Sequence, residues 1–281
     1  MALNSNTYYS NSIQGIPGAG VDVNVETADS APRYPAGYLV ERADGNKFRY
    51  CHVGTATNSG LLVGPTTASG GAAYAAAVVV ASASATAVAA EYPILPGQVG
   101  SHYIQVTIAS IAANKYQGGY IIITGGTGVG QTYRIVGNTA TNNPTTGTLY
   151  IQLAEALQVA VTAIMGVLIV PSMFTDLAAS ATTSTQCTGV LMATTTATNL
   201  WAWVQTHGVV GCAEDGTNAI VAGQQVQCSR VTAGYYASIE AAVTTTLIAG
   251  AFDAPIVGYS ITPSVASTAK GWLGAIYLQL E

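Results

Sequence analysis

Hydrophobic and polar positions alternate in short runs along this chain, and the runs are broken every eight to fifteen residues or so by Gly, Asn, Asp and Pro. Tyr103-Ile104-Gln105-Val106-Thr107-Ile108 has a period of two, as do Thr132-Tyr133-Arg134-Ile135-Val136 and Thr148-Leu149-Tyr150-Ile151-Gln152-Leu153. Such a period places alternate side chains on opposite faces of a strand. Leu200-Trp201-Ala202-Trp203-Val204-Gln205-Thr206 is the clearest strand, and Val209-Val210-Gly211-Cys212 reads as the next. Ala43-Asp44-Gly45-Asn46 is a strong turn between Tyr38-Leu39-Val40 and Phe48 to Val53, which predicts a hairpin. Further strands are read at Leu61–Val63, Tyr120–Thr124, Ile164–Val170, Val226–Val231, Ile256–Ile261 and Leu273–Leu280. Long amphipathic helices are missing, and Ala154–Ala163 is the one weak helix candidate.

The pattern predicts an all-β fold of sandwich or barrel type. Residues 1–34 are rich in Asn, Ser, Gly and Pro and read as an extended N-terminal arm. Residues 35–98 and 176–281 are expected to form the main β domain, with a second β module of 99–175 inserted. Residues 70–90 carry no charge and have the length of a membrane span, but Ala, Ser, Thr and Gly dominate, and no flanking Lys, Arg or Trp belt marks an interface. A buried helix, a strand pair and a low-complexity loop all fit that segment better than a span.

Composition sharpens the picture. Charged residues are 7% of the 281, well below the roughly 25% of an average soluble domain. A chain that gives up surface charge has lost the usual means of staying apart from its neighbours, so contact with copies of itself or with a larger assembly is expected. The net charge is −5 with eight Lys and Arg, which argues against a nucleic-acid partner. Arg33, Arg42, Lys47 and Arg49 lie close in sequence, but Asp29, Glu41 and Asp44 are interleaved, giving a solvated or paired face. The N-terminus has no basic segment followed by an apolar one, so no secretory signal is read.

Candidate chemistry is thin. Gly125-Gly126-Thr127-Gly128-Val129-Gly130-Gln131-Thr132 nearly matches a phosphate-binding loop, but Gln131 stands where a Lys is required. The following Tyr133-Arg134-Ile135-Val136 is strand-patterned, whereas such a loop opens a helix, so a hairpin turn is expected and no nucleotide. His52, His102 and His207 each stand alone in sequence, and Glu214-Asp215 reads as a solvated turn before Gly216. Cys51, Cys187, Cys212 and Cys228 show no metal-binding spacing and are expected to be buried thiols. No catalytic, cofactor-binding or metal-binding residue is assigned, and the chain is read as a non-enzyme. Tyr is frequent (16) and Phe rare (3), which suits partly wet interfaces as well as sheets.

One resemblance is carried by Trp203-Val204-Gln205-Thr206-His207-Gly208, by Asp215-Gly216-Thr217 through Ala222-Gly223, by Pro255-Ile256-Val257-Gly258-Tyr259 and by Ile276 to Leu280. Their order resembles that in virion proteins of tailed bacteriophages, and Gly119–Leu157 is similar to a β-module found in such proteins. The resemblance implies a head decoration or cement protein, made in the host cytoplasm and carried in the virion. Its implied partners are the major capsid protein and copies of itself, as a homo-oligomer. The alternative is a tail or fibre protein binding a receptor or glycan, with Trp201, Trp203 or Tyr235-Tyr236 as stacking platforms. A bacterial surface adhesin and a glycosidase within a fibre are weaker readings.

Overall fold

Alternation becomes strand pairing throughout. The computed structural model describes residues 23–65, 75–79, 94–108, 111–141, 147–161, 165–182, 186–239, 255–264 and 273–281. Among them sixteen strands form and no helix, so the fold is all-β. Contacts divide the chain into two units, one of Met1–Thr66 with Met173–Glu281 and one of Thr67–Ser172.

The second unit is a closed antiparallel barrel. Its strands are β4 (Ala75–Val79), β5 (Tyr103–Ile108), β6 (Tyr120–Ile123), β7 (Thr132–Asn138), β8 (Gly147–Leu153) and β9 (Met165–Val170), ordered β4-β5-β8-β7-β6-β9 around the ring. The insertion starts at Thr67 rather than at 99 because β4 pairs with β5 and β9. The rest of 70–90 lies outside the described residues, and among those described no helix is long and apolar enough to cross a membrane. Tyr133 and Ile135 point inward while Thr132, Arg134 and Val136 face out, as the period of two requires. Ile104, Ile121, Ile123, Leu149 and Ile151 fill the interior, and each contributes about 1.5–3 kcal/mol by burial.

Two sequence expectations meet different fates here. The glycine-rich segment is a hairpin: the Gly130 amide donates to Ile123 O at 2.9 Å, and β7 follows at once. The helix candidate fails. Over the described part, 154–161, the backbone is irregular because its amides are taken by neighbouring segments. Leu157 donates to Ser101 O and Val161 to Gly97 O, which seats both side chains in the barrel core.

The first unit is built on one long strand. Its elements are β1 (Leu39–Glu41), β2 (Lys47–Val53), β3 (Leu62–Pro65), β10 (Leu177–Ala179), β11 (Gly189–Leu191), β12 (Leu200–Ala213), β13 (Gln225–Cys228), β14 (Tyr236–Ser238), β15 (Ile256–Ser260) and β16 (Leu273–Gln279). The β1–β2 hairpin turns at Asp44–Asn46, as expected. Pairings β2-β10-β3-β11-β12 return from β12 to β2 and close a five-stranded ring. The far half of β12 then pairs with β16, followed by β15, β13 and β14, in a half-barrel. A bridge between Glu214 and Tyr236 brings β14 back to the end of β12.

The two strands read at 200–206 and 209–212 are therefore one strand of 14 residues. They look separate in sequence because Gly208 and a register shift between Gln205 and His207 bend it. Gly208 has φ +94°, and a Cβ there would lie 1.8 Å from Asn46 Oδ1. That oxygen accepts the Val209 amide at 3.1 Å, so the β1–β2 turn props the bend from outside.

The expected arm of 1–34 is overturned over its described part, 23–34, which packs on the first unit. Residues 1–22 lie outside the described residues, but Val23 and Val25 are buried with Val40, Phe48, Tyr50 and Trp203. Asp29 and Trp201 exchange both backbone hydrogen bonds, at 2.7 and 2.8 Å. Asp29 Oδ2 accepts the Tyr50 hydroxyl at 2.8 Å, and Oδ1 pairs with Arg33 at 2.8 Å. Two isolated valines in a polar segment are too few to signal burial by themselves. Their core is supplied by distant aromatic residues.

Candidate interaction surface

The groups with chemical potential are mostly absorbed into the framework. Glu214 and Asp215 are not solvated: each is 4% exposed. Glu214 accepts hydrogen bonds from Ser264 Oγ and from the Tyr236 hydroxyl, the latter at 3.3 Å. Asp215 accepts from Ser229 Oγ at 2.6 Å and from the Thr217 amide at 2.9 Å. All four carboxylate oxygens thus have a donor, which is what burial of charge demands. Burial, with Glu214 beside it, pushes the Tyr236 hydroxyl well above the usual tyrosine range. The Asp-Gly-Thr turn was visible in sequence, but Ser229, Tyr236 and Ser264 arrive from elsewhere and turn the acids inward.

His52 is not alone either. Its Nδ1 lies 3.2 Å from Asp176 Oδ1, and its ring packs at 5.1 Å against Trp201. His102 Nδ1 lies 3.3 Å from Leu153 O. His207 is bracketed by Glu281 O at 3.0 Å on Nδ1 and the Tyr277 hydroxyl at 3.1 Å on Nε2. Among the described residues no three of His, Cys, Asp and Glu converge as metal ligands. All four cysteines are buried thiols. In the mixed-sign cluster near the first hairpin, Arg33 pairs with Asp29 at 2.8 Å, Arg49 reaches Glu281 at 2.7 Å, and Arg42 lies 4.7 Å over the Phe48 ring.

One outward feature is an uncharged row across the sheet of the half-barrel. Val209 of β12 sits opposite Tyr277 of β16, Tyr277 opposite Tyr259 of β15, and Tyr259 opposite Gln225 of β13. One row therefore crosses four strands. The Tyr259 and Tyr277 rings stack at 5.1 Å with 11° between planes, and His207 meets Tyr277 edge-on at 5.4 Å. The next rows along β12 and β16 pair Gly211 with Ala275 and Ala213 with Leu273. Val209 is 52% exposed and Leu273 67%. None of these residues is an acid, a Lys or an Arg.

Pre-stacked rings present apolar area that loses little further side-chain freedom on contact, and the two hydroxyls can still bond to a partner or to water. With no formal charge to desolvate, such a face can pack against another neutral surface at low electrostatic cost. Sequence reading singled out tyrosine abundance but not this row, because the register joining residues 209, 225, 259 and 277 is not written in local pattern.

The proposed stacking platforms fare differently. Trp203 is 1% exposed and packs with Tyr34 and Tyr50 in the core. Tyr236 is also fully buried. Neither can meet a ligand. Trp201 is half-buried and stacked on Tyr50 at 5.5 Å, and Tyr235 is half-buried. Comparison of the chain with family models, with curated proteins and with solved structures gives no match.

Proposed function

We propose that this chain is a structural protein of a virion that decorates or cements the capsid shell of a tailed phage, attached through neutral polar and apolar contacts. The observation that carries this reading is the uncharged row Val209–Tyr277–Tyr259–Gln225 on an open sheet face. A cement protein gains its strength from many weak contacts repeated by symmetry, so each face needs complementarity more than high affinity. Engagement of Glu214 and Asp215 by four internal donors supports a framework role for the acids nearest one another in sequence. The ordering of motifs that resembles tailed-phage virion proteins supplies the particle, and the major capsid protein is the partner expected from it.

The test is re-association. Shells lacking the protein are mixed with purified chain and sedimented. The reading expects the chain to pellet with shells, and a Tyr259→Glu, Tyr277→Glu double variant to stay in the supernatant while keeping its fold. A chain that never pellets with shells, and is missing from purified particles by mass spectrometry, would remove the proposal.

A further inference from the structure

His207 is tied at both ring nitrogens, and the two ties fix which nitrogen carries the proton. Nδ1 lies 3.0 Å from the main-chain O of Glu281, an oxygen that can only accept. Nδ1 therefore holds the hydrogen. In the uncharged ring Nε2 is then a bare lone pair, and the Tyr277 hydroxyl 3.1 Å away is the donor to it. The Tyr277 ring is held in place, because it stacks on Tyr259 at 5.1 Å and meets His207 edge-on at 5.4 Å. With its proton committed to His207, the Tyr277 oxygen has only lone pairs left to offer.

Protonation of the imidazole reverses this bond. Both ring nitrogens then carry hydrogens, so Nε2–H donates and the Tyr277 oxygen accepts. The tyrosine proton is released to point elsewhere. One centre on the row thus changes from acceptor to donor without a new side-chain position, and the ring beside it gains a positive charge. The charged groups around the ring are Lys47, opposite it on β2, and the Glu281 carboxylate, already paired with Arg49 at 2.7 Å. From β16 it meets Tyr277 and the neutral Gln279.

We infer that His207 is the proton-controlled element of the docking row: with the ring neutral the Tyr277 oxygen accepts from a donor on the partner, and with the ring protonated that contact is lost. The inference rests on the docking role proposed for the row. It adds the partner's chemistry, a neutral surface with an amide N–H set over Tyr277. A partner hydroxyl would turn around and follow the switch, whereas an amide N–H cannot. An N–H facing the released Tyr277 proton has no acceptor, and the imidazolium must be desolvated with it, so both changes oppose contact. Histidine is the side chain whose charge ordinarily changes between about pH 5 and 8, so the row answers to mild acid.

The test has two arms. Nitrogen–proton correlation spectra of the imidazole rings in the isolated chain, at about pH 8, should show His207 as the Nδ1–H tautomer. Tyr277→Phe should shift its Nε2 signal and leave those of His52 and His102. An Nε2–H tautomer overturns the inference. In the second arm, shells lacking the protein are sedimented with the chain at about pH 8 and about pH 5.5. Binding should weaken about tenfold or more on acidification. His207→Gln, whose amide oxygen can take the Tyr277 proton without titrating, should bind alike at both. Equal binding of the wild type at the two pH values, or an unchanged pH response in His207→Gln, overturns the inference and leaves the docking reading standing. Binding at neither pH removes the docking reading, and the pH control with it. Should His207→Gln fail to fold, the tautomer and the wild-type pH response decide.

Discussion

The hydroxyl of Tyr236 occupies the space that a side chain on Gly274 would need: a Cβ there would lie 1.9 Å from the oxygen. The tyrosine is fully buried and its hydroxyl is the donor to Glu214, so it cannot swing aside cheaply. Gly274→Ala should therefore cost about 2–4 kcal/mol, the sum of overpacking and a weakened buried hydrogen bond. In a Tyr236→Phe background the same substitution should cost at least about 1 kcal/mol less, because the clashing atom is gone. Chemical denaturation of the wild type and the three variants measures the coupling; additive losses would show that the contact is not what restricts residue 274.

The bend in β12 gives a second case. Gly208→Ala places a Cβ against Asn46 Oδ1 and forces an L-residue to φ +94°. A loss of roughly 3 kcal/mol or more is expected. Asn46→Ala removes the clash but leaves the Val209 amide without that acceptor, and should cost about 1–2 kcal/mol. Equal stability of the wild type and Gly208→Ala in urea titration would mean that β12 can bend elsewhere.

The N-terminal boundary can be tested by truncation. Removing everything through Tyr34 takes away Val23, Val25 and the Asp29–Trp201 bridge, and uncovers Tyr50 and Trp203. We expect a loss of about 3–5 kcal/mol, read as a lower denaturant midpoint with red-shifted tryptophan emission. Unchanged emission and midpoint would restore the reading of 1–34 as an arm.

Alkali should weaken the fold. Burial pushes the Tyr236 and Tyr50 hydroxyls and the Cys51 and Cys212 thiols upward. Between each ordinary value and its raised one, the native state holds a proton that the unfolded chain has released. Stability from these groups is complete at neutral pH, begins to fall above about pH 9 with the thiols, and falls further above about pH 10 with the tyrosines. Thermal midpoints across that range, with tyrosinate absorbance recorded alongside, check the sign. A midpoint that rises with pH there would contradict it.

Association through the neutral face should tolerate salt. Surface ion pairs contribute roughly 0–1 kcal/mol and are screened as the Debye length falls from about 10 Å at ~0.1 M to about 3 Å at ~1 M. Sedimentation of the assembled state should change little over that range, and Tyr277→Glu should dissociate it at either end. Dissociation by salt alone would assign the contact to the few charges, such as Arg49 with Glu281.

Much of the fold was legible because alternation and turn chemistry are local. The β1–β2 turn at Asp44-Gly45-Asn46 and the strand after the glycine-rich loop follow from the pattern of a few residues. What stayed hidden depends on residues far apart in sequence. Val23 and Val25 are core only because Phe48, Tyr50 and Trp203 surround them. Glu214 and Asp215 are buried only because Ser229, Tyr236 and Ser264 provide donors. His52 gains Asp176, and Tyr277 gains Val209, through pairings that join distant strands.

The sharing of β12 between the ring and the half-barrel also sets an order of events. Its first half can pair with β2, already synthesised, but its second half has no neighbour until β16 follows, some seventy residues later. Tyr277 rides on that late strand. The row with Val209 and Tyr259 thus comes into being only when the half-barrel closes, so an incompletely made chain carries no finished version of the proposed docking face. Coupling the proposed docking surface to the last-made strand would keep unfinished copies from entering an assembly, a form of quality control written into strand order.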